Sequence, residues 1–384
     1  MKFKALSCCI VLLLLAGSAF AQWNIEYQQE LQIAFYGITF PSSTVGYMVG
    51  SGGAIYKTED AGDTWVEQTS PTTLSFFDVF FKSATEGWAV GDNGLIAFTT
   101  DGTNWALHDS SQVMTTLDIN TVWFVGNSGW IGTDGGGVFL TTDNGATWTT
   151  PTTNVATDDV NELSFSDALH GYAALDGAGI MYTTDGGDNW ILSALNLGPY
   201  PYSRTDIETI EAIDGTYGVA SGWGAYILGP QPTILLVTSD GGQSWSNPMS
   251  PTYDYATYAY GYGITKFDDG HVIITGGYGG SAAPVLHASS PYTSWTTSTA
   301  FFGDDLRDIA AVPGTNRVVA VGDEGCVALS ADKGQTWEFT YLPSPGTTGI
   351  ADMVGIGKDL IIGVGAGSMT VSYTHLTLPT KRIV

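Results

Sequence analysis

Six aspartates recur in one setting. Asp60, Asp101, Asp143, Asp185, Asp240 and Asp332 each stand a few residues ahead of a tryptophan. Repeated carboxylates can ligate calcium or move protons. A calcium loop, however, gathers several oxygen ligands around one ion, and only one acid recurs at a fixed place in these segments. Asp in a tight turn commonly accepts hydrogen bonds from nearby backbone N–H groups. The turn reading therefore prevails, and no catalytic residue, metal or cofactor is assigned to these positions.

Other residues with chemical potential are scattered. Two-carboxylate hydrolysis needs a pair facing across a cleft. Candidates outside the repeated turns are Asp78, Asp118, Asp158, Asp159, Asp206, Glu208, Asp304 and Asp305 among 38 acids, and no pair can be placed from spacing. His108, His170, His271 and His287 fall in different modules without ligand spacing. There is no G-x-S-x-G elbow and no phosphate-cradling loop. One segment, Thr252–Gly263, has tyrosines in near strand rhythm: Tyr253, Tyr255, Tyr258, Tyr260 and Tyr262. They form a candidate binding surface for a glycan or a peptide, against the plainer reading of an inner strand with packed tyrosines. Insertions around 198–205 and 223–233 are expected to make larger loops.

The elements that must position these groups follow from a repeated phrase. Full copies are Thr58–Trp65, Thr141–Trp148, Thr183–Trp190, Thr238–Trp245 and Ser330–Trp337, with worn copies at Thr99–Trp105 and Ser289–Trp295. Tryptophans stand at 23, 65, 105, 148, 190, 245, 295 and 337, mostly about 42 residues apart, a period that marks a repeat architecture. One module shows the grammar. Phe76–Phe81, Gly87–Gly91 and Leu95–Thr99 are strands, Asp92-Asn93-Gly94 is a hairpin turn, and Trp105 opens an outer strand. Four short strands per repeat make one propeller blade. Within each repeated turn, Asp60, Asp101, Asp143, Asp185, Asp240 or Asp332 accepts hydrogen bonds. Gly62, Gly145, Gly187, Gly242 or Gly334 supplies a conformation costly for other residues. Trp65, Trp105, Trp148, Trp190, Trp245, Trp295 or Trp337 packs between blades. The expected fold is an all-β propeller of about eight four-stranded blades, with seven the alternative, closed by an N-terminal strand around Trp23.

Bulk composition narrows the function. Acidic residues outnumber basic ones 38 to 12, for a formal net charge of -26. Such a surface repels phosphate backbones and anionic lipids, so nucleic-acid binding and stable membrane insertion are not expected. Lys2 and Lys4, an apolar run at 10–16 and Ala19-Phe20-Ala21 read as an export signal over 1–21. The propeller is expected over 22–370, as a monomer in the periplasm, at the cell surface or outside the cell. Once Cys8 and Cys9 leave with the signal, Cys326 alone remains, which excludes an internal disulfide.

The pattern Ser/Thr-x-Asp-x-Gly-x-Thr-Trp resembles that of the bacterial neuraminidase repeat, or Asp-box, propellers. Val45–Gly50 followed by Gly53–Thr58, and Glu86–Gly91, look most like the photosystem II stability/assembly factor-like proteins. That resemblance implies a non-catalytic scaffold that binds a protein or glycan. It also suggests, as the alternative, a secreted sialidase-like or glucan-cleaving hydrolase. The arginine-lined partner surface of the family is not carried over, because Arg204, Arg307 and Arg317 are the arginines of the propeller segment. A sialidase triad would need these three to converge.

Residues 371–384 break both the repeat and the acidic composition. They resemble one translated frame of a transposon-type sequencing adapter, and are expected to be non-native. Resequencing the locus is expected to show another boxed turn and tryptophan after Thr370. Genomic DNA that encodes Val371–Val384 as written overturns this expectation.

Overall fold

Runs of Val, Ile, Phe and Trp punctuated by glycine turns form short strands throughout the chain. The computed structural model describes residues 33–341 except 63, 109–115, 151–157, 178, 198–201, 227–232, 249–259, 278–284, 299–305, 313 and 323–325. It also describes the backbone of short strands at Ile10–Val11, Glu26–Tyr27, Ile350–Ile356, Leu360–Gly365 and Met369–Ser372. The signal expected at 1–21 and the tail at 371–384 lie otherwise outside the described residues.

The fold is an all-β propeller whose blades are antiparallel, apart from Ala194–Asn196, which joins the fifth sheet parallel to Ser244–Ser246. The first blade comprises Phe35–Thr39, Gly46–Gly50, Ile55–Thr58 and Val66–Glu67. The second comprises Phe76–Phe81, Gly87–Gly91, Leu95–Thr99 and Trp105–Leu107, as the spacing predicts. The third has Ile119–Val125, Ser128–Thr133 and Val138–Thr141, its outer strand reduced to a bridge between Leu140 and Thr149. The fourth runs from Val160–Phe165 to Ile191–Leu192, the fifth from Tyr202–Ala212 to Ser244–Ser246, the sixth from Tyr260–Lys266 to Thr296–Thr297 and the seventh from Leu306–Ala311 to Glu338–Tyr341. An eighth sheet is described as backbone: Ile350–Ile356, Leu360–Gly365 and Met369–Ser372, with Glu26–Tyr27 paired to the last of these. Its strand Ile350–Ile356 contacts the innermost strands of both the seventh and the first blades.

One expectation is corrected. The insertions around 198–205 and 223–233 are not simply loops. Tyr202–Ala212 and Gly218–Tyr226 pair from Tyr202↔Tyr226 to Ala212↔Gly218, so much of the extra length extends a hairpin. Arg204, placed in a loop by the sequence reading, lies on this hairpin. Strand pairing satisfies backbone groups that a loop would leave to solvent.

Blades adhere through a repeated aromatic stack. Tyr47 of the first blade stacks on Phe81 of the second at 3.7 Å, and Phe81 meets Trp105 edge-on at 5.7 Å. Trp88, Phe124 and Trp148 repeat this one blade on, with distances of 3.9 and 6.0 Å. Trp130, Phe165 and Trp190 do so again at 3.7 and 5.8 Å. In the fifth blade the middle ring gives way to Ala212, opposite Gly218, and Tyr172 meets Trp245 directly at 5.1 Å. Each such pair adds about 0.5–1.5 kcal/mol beyond its buried area. The stack explains the glycine ahead of each second-strand aromatic: a Cβ on Gly87 would lie 2.5 Å from the Phe81 ring.

The repeated turn locks against the same stack. In Thr141–Trp148, the Thr141 hydroxyl donates to Asp143 at 2.8 Å and accepts from the Gly145 amide at 2.9 Å. Asp143 also accepts from the Thr147 amide and hydroxyl at 2.8 and 2.6 Å. These bonds, that of the Thr147 hydroxyl foremost, hold the Asp143 carboxyl below its ordinary pKa. Gly145 has φ +80°, and a Cβ there would lie 2.6 Å from Trp88 of the preceding blade. The same bonding recurs around Asp60, Asp185, Asp240 and Asp332, and in shortened form around Asp101.

Side-chain acceptors stitch neighbouring blades near the axis. Asp78 accepts from the Val122 amide at 2.9 Å, and Glu162 from the Ile210 amide at 2.8 Å. Ser164 and Thr265 do the same for Ala212 and Ala311 at 3.0 and 2.9 Å. Burial pushes the Glu162 carboxyl up to about 8, against the lowering effect of its bonds to Ile210 and Thr209.

Two outcomes are expected. Gly87→Ala, which forces the Phe81 ring out of its stack, is expected to cost about 1–3 kcal/mol in denaturant unfolding. Gly126→Ala is the comparison: its site is open at φ +63°, so only backbone strain of about 1–2 kcal/mol applies. A Gly87 variant milder than the Gly126 variant overturns the packing argument. Because the folded-state pKa of Glu162 lies above its unfolded value, its contribution is present at acid pH and is lost as pH rises from about 4.5 towards about 8. Stability against thermal unfolding is expected to fall across that window by at most about 1.4 kcal/mol per pH unit from this group. Glu162→Gln keeps the acceptor for Ile210 and is expected to flatten the slope.

Candidate functional site: the central channel

The innermost strands line a central channel of about 470 Å³. Each carries a register shift at the same place, which in six of them follows a buried residue: Phe35, Phe76, Ile119, Val160, Ile207 or Leu306. The shifts fall at Phe35/Gly37, Phe76/Asp78, Ile119/Thr121, Val160/Glu162, Ile207/Thr209, Gly261/Gly263 and Leu306/Asp308, and the backbone of the eighth sheet repeats it at Ile350/Asp352. A β-bulge leaves one residue outside the ladder and re-aims its side chain. The bulged residues Tyr36, Phe77, Glu208, Tyr262 and Arg307, together with Asn120 and Asn161, all line the channel.

The two asparagines serve the fold. Asn120 Nδ2 donates to Asp134 at 2.9 Å and to the Val160 carbonyl of the next blade at 3.1 Å. Asn161 Nδ2 donates to Asp176 at 3.0 Å and to the Ile207 carbonyl at 2.9 Å. The other five replace this tie with larger or charged groups. Arg307 lies over the Tyr262 ring, 4.4 Å from its centroid. Tyr36 and Phe77 meet edge-on at 5.9 Å, and deeper along the wall Phe80 and Trp123 approach at 5.9 Å. Glu208 Oε1 accepts from Trp223 Nε1 at 2.9 Å. Burial raises the Glu208 pKa, opposed by the Trp223 bond and by nearby Arg307.

Several sequence candidates prove to be stitches between blades. Asp118 accepts from the Asn93 amide at 2.7 Å, Asp159 from Gly135 at 2.8 Å and Asp206 from Gly177 at 2.6 Å. Asp78 lies in the channel wall but faces the Val122 and Val79 amides, and its burial raises its pKa. Asp304 and Asp305 lie outside the described residues. Of the tyrosine segment, Tyr253, Tyr255 and Tyr258 lie outside the described residues and Tyr260 is described as backbone, whereas Tyr262 reaches the channel.

The arginines do not form a triad. Arg204 is held by Asp206 at 2.5 Å and Asp176 at 3.1 Å. Arg307 follows Leu306, which pairs with Gly322, whereas Arg317 precedes Val318 at the opposite end of the same hairpin. Strand rise puts these two roughly 15 Å or more apart. Trp105, Trp148, Trp190 and Trp245 are buried and Trp295 and Trp337 half-buried in clusters that span two blades, whereas Trp65 packs half-buried against Phe40 of its own blade. Sequence reasoning missed Glu162, Asp308 and the bulge ring. Aligning the first strands on Phe35, Phe76, Ile119, Val160, Ile207 and Leu306 would have exposed the ring, since the residue that follows is Tyr, Phe, Asn, Asn, Glu and Arg in turn.

Residues 67–154 match the family model of the photosynthesis system II assembly factor YCF48. No curated protein matches the chain. Among solved structures, YCF48 bound to D1 peptide is similar at TM-score 0.59 and 16% identity, over 97% of this chain and 98% of that one. YCF48 from Cyanidioschyzon merolae is similar at TM-score 0.56 and 17% identity, over 92% and 99%. An ancestral GH74 enzyme shares the fold at TM-score 0.57 and 15% identity, over 93% of this chain but 56% of that one. Over residues 67–154 the chain thus resembles the photosystem II assembly factor YCF48, within an all-β propeller whose fold it shares with the solved structures of that protein.

Proposed function

We propose that the chain is an exported, non-catalytic scaffold that binds a protein segment at the bulge-ringed channel. One observation carries this reading. Asn120 and Asn161 spend the bulge position on tying blades together, while Tyr36, Phe77, Glu208, Tyr262 and Arg307 turn it towards the channel. Large aromatic and charged groups gathered at one cavity are the usual makings of a recognition surface. The neighbour bound to D1 peptide gives a precedent for a peptide on such a propeller. The non-catalytic part is supported by Asp118, Asp159 and Asp206, which are engaged by backbone amides of neighbouring blades. The boxed aspartates are proposed as structural groups, given their bonding within each turn. Closure of the ring by the N-terminal strand and a monomeric state belong to the same reading. Export rests on the basic and apolar pattern of residues 1–21.

A glycan or a glycoside hydrolase is the second reading. The observation in its favour is Glu208, with its raised pKa, beside the Arg307–Tyr262 stack.

A photo-crosslinking amino acid at Tyr36 is expected to yield a discrete protein adduct in cells. The same label at Val66, exposed on an outer strand, is expected to yield none. Equal labelling at both positions, or none at Tyr36, overturns the placement. Glycan hydrolysis by the purified chain that Glu208→Gln abolishes overturns the non-catalytic reading.

A further inference from the structure

Among the described residues, the charge around the channel is lopsided. Arg204 is taken up by Asp206 and Asp176. Lys266 pairs with Glu211 at 2.9 Å. Arg307 is spread over the Tyr262 ring. Glu208, by contrast, holds one donor, Trp223 Nε1 on Oε1, and its Oε2 has no hydrogen bond among the described residues. Asp308 also lines the channel, and one of its oxygens takes the Ile309 amide at 2.7 Å. Around this ring the whole chain carries a net charge of -26. Channels lined by one sign of charge within low-dielectric walls concentrate the opposite ion.

The uncharged part of the wall points the same way. Tyr36, Phe77, Phe80 and Trp123 offer ring faces and edges to the cavity. Aromatic faces attract ammonium and guanidinium groups, by about 0.5–1 kcal/mol when exposed and more when dry. Long basic side chains can also lay an apolar stem along such rings and extend the charged head to an acid. A cavity of about 470 Å³ admits one such side chain together with part of its backbone.

We infer that the ring takes a peptide segment by a lysine or arginine side chain, whose charged head meets Glu208 and whose stem lies on the aromatic wall. The inference rests on the protein-binding reading above and adds the chemistry of the ligand. It assigns opposite parts to two ring residues. Glu208 attracts the incoming cation. Arg307, on the neighbouring Tyr262, repels it and sets a ceiling on affinity.

The test is titration of the full chain with three sets of short synthetic peptides of equal length: lysine- or arginine-bearing, neutral and acidic. Basic peptides are expected to bind, and to weaken by about tenfold when ionic strength rises from low to physiological. Glu208→Gln retains an acceptor for Trp223 and is expected to weaken basic-peptide binding by about tenfold. Arg307→Gln is expected to tighten it by about threefold. Glu67→Gln makes the same charge change on an exposed outer strand and is expected to leave binding unchanged. Circular dichroism and melting of each variant separate lost binding from lost fold. Neutral or acidic peptides that bind as well as basic ones overturn the inference and leave the protein-binding reading standing. If Glu208→Gln and Glu67→Gln act alike, attraction is general rather than seated on the ring, and the inference is overturned. Binding of no peptide, with specific capture of a glycan, overturns both.

Discussion

The propeller depends on one contact repeated between blades: a second-strand aromatic lying flat on a phenylalanine of the next blade, which in turn meets a boxed tryptophan edge-on. Tyr47–Phe81–Trp105, Trp88–Phe124–Trp148 and Trp130–Phe165–Trp190 are three instances. A single blade has no way to bury either face, so this contact converts tandem sheets into one ring. Other motif residues answer to it. The glycine before each second-strand aromatic makes room for the phenylalanine, and Gly145, Gly187 and Gly242 of the boxed turns let the backbone ride over Trp88, Trp130 and Tyr172 of the preceding blade. The aspartate in that turn keeps the approach rigid by occupying its amides.

A second layer of contacts lies nearer the axis and is polar. Asp78, Glu162, Ser164 and Thr265 accept amides of the next blade, and Asn120 and Asn161 donate to its carbonyls. Buried acceptors of this kind cost free energy when unpaired and little when paired. They fix how blades rotate against one another without adding apolar bulk at the narrow axis. Where the asparagine tie is absent, the bulge position carries Glu208, Tyr262, Arg307, Tyr36 or Phe77. Ties between blades and side chains turned to the channel thus compete for one position per blade, and the eighth sheet repeats the bulge in its backbone.

Much of this was legible in the sequence. Trp65, Trp105, Trp148, Trp190, Trp245, Trp295 and Trp337 mark the blades because each closes a short turn of seven or eight residues, and local turn chemistry is written in adjacent residues. The strands of the second blade match their expected bounds for the same reason. The site was only partly legible. Asp118, Asp159 and Asp206 looked like candidate acids, because a carboxylate that caps a neighbouring turn has the same sequence signature as one facing a cleft. Arg204 looked like a loop residue, because the insertion around it was read as irregular although it pairs from Tyr202↔Tyr226 onwards. Tyr262 was named as part of a platform with its sequence neighbours, whereas its channel partner is Arg307, forty-five positions along the chain.

What the sequence determined by itself is the repeat unit: hairpins closed by an aspartate, a glycine and a tryptophan, all set by interactions within about ten residues. What only the tertiary structure decided is which side chains share the axis. A bulge shifts one residue out of the strand alternation, and the ring then brings together Tyr36, Phe77, Glu208, Tyr262 and Arg307 from five separate modules. No local pattern encodes that meeting, because it depends on how wedge-shaped sheets turn about a common centre.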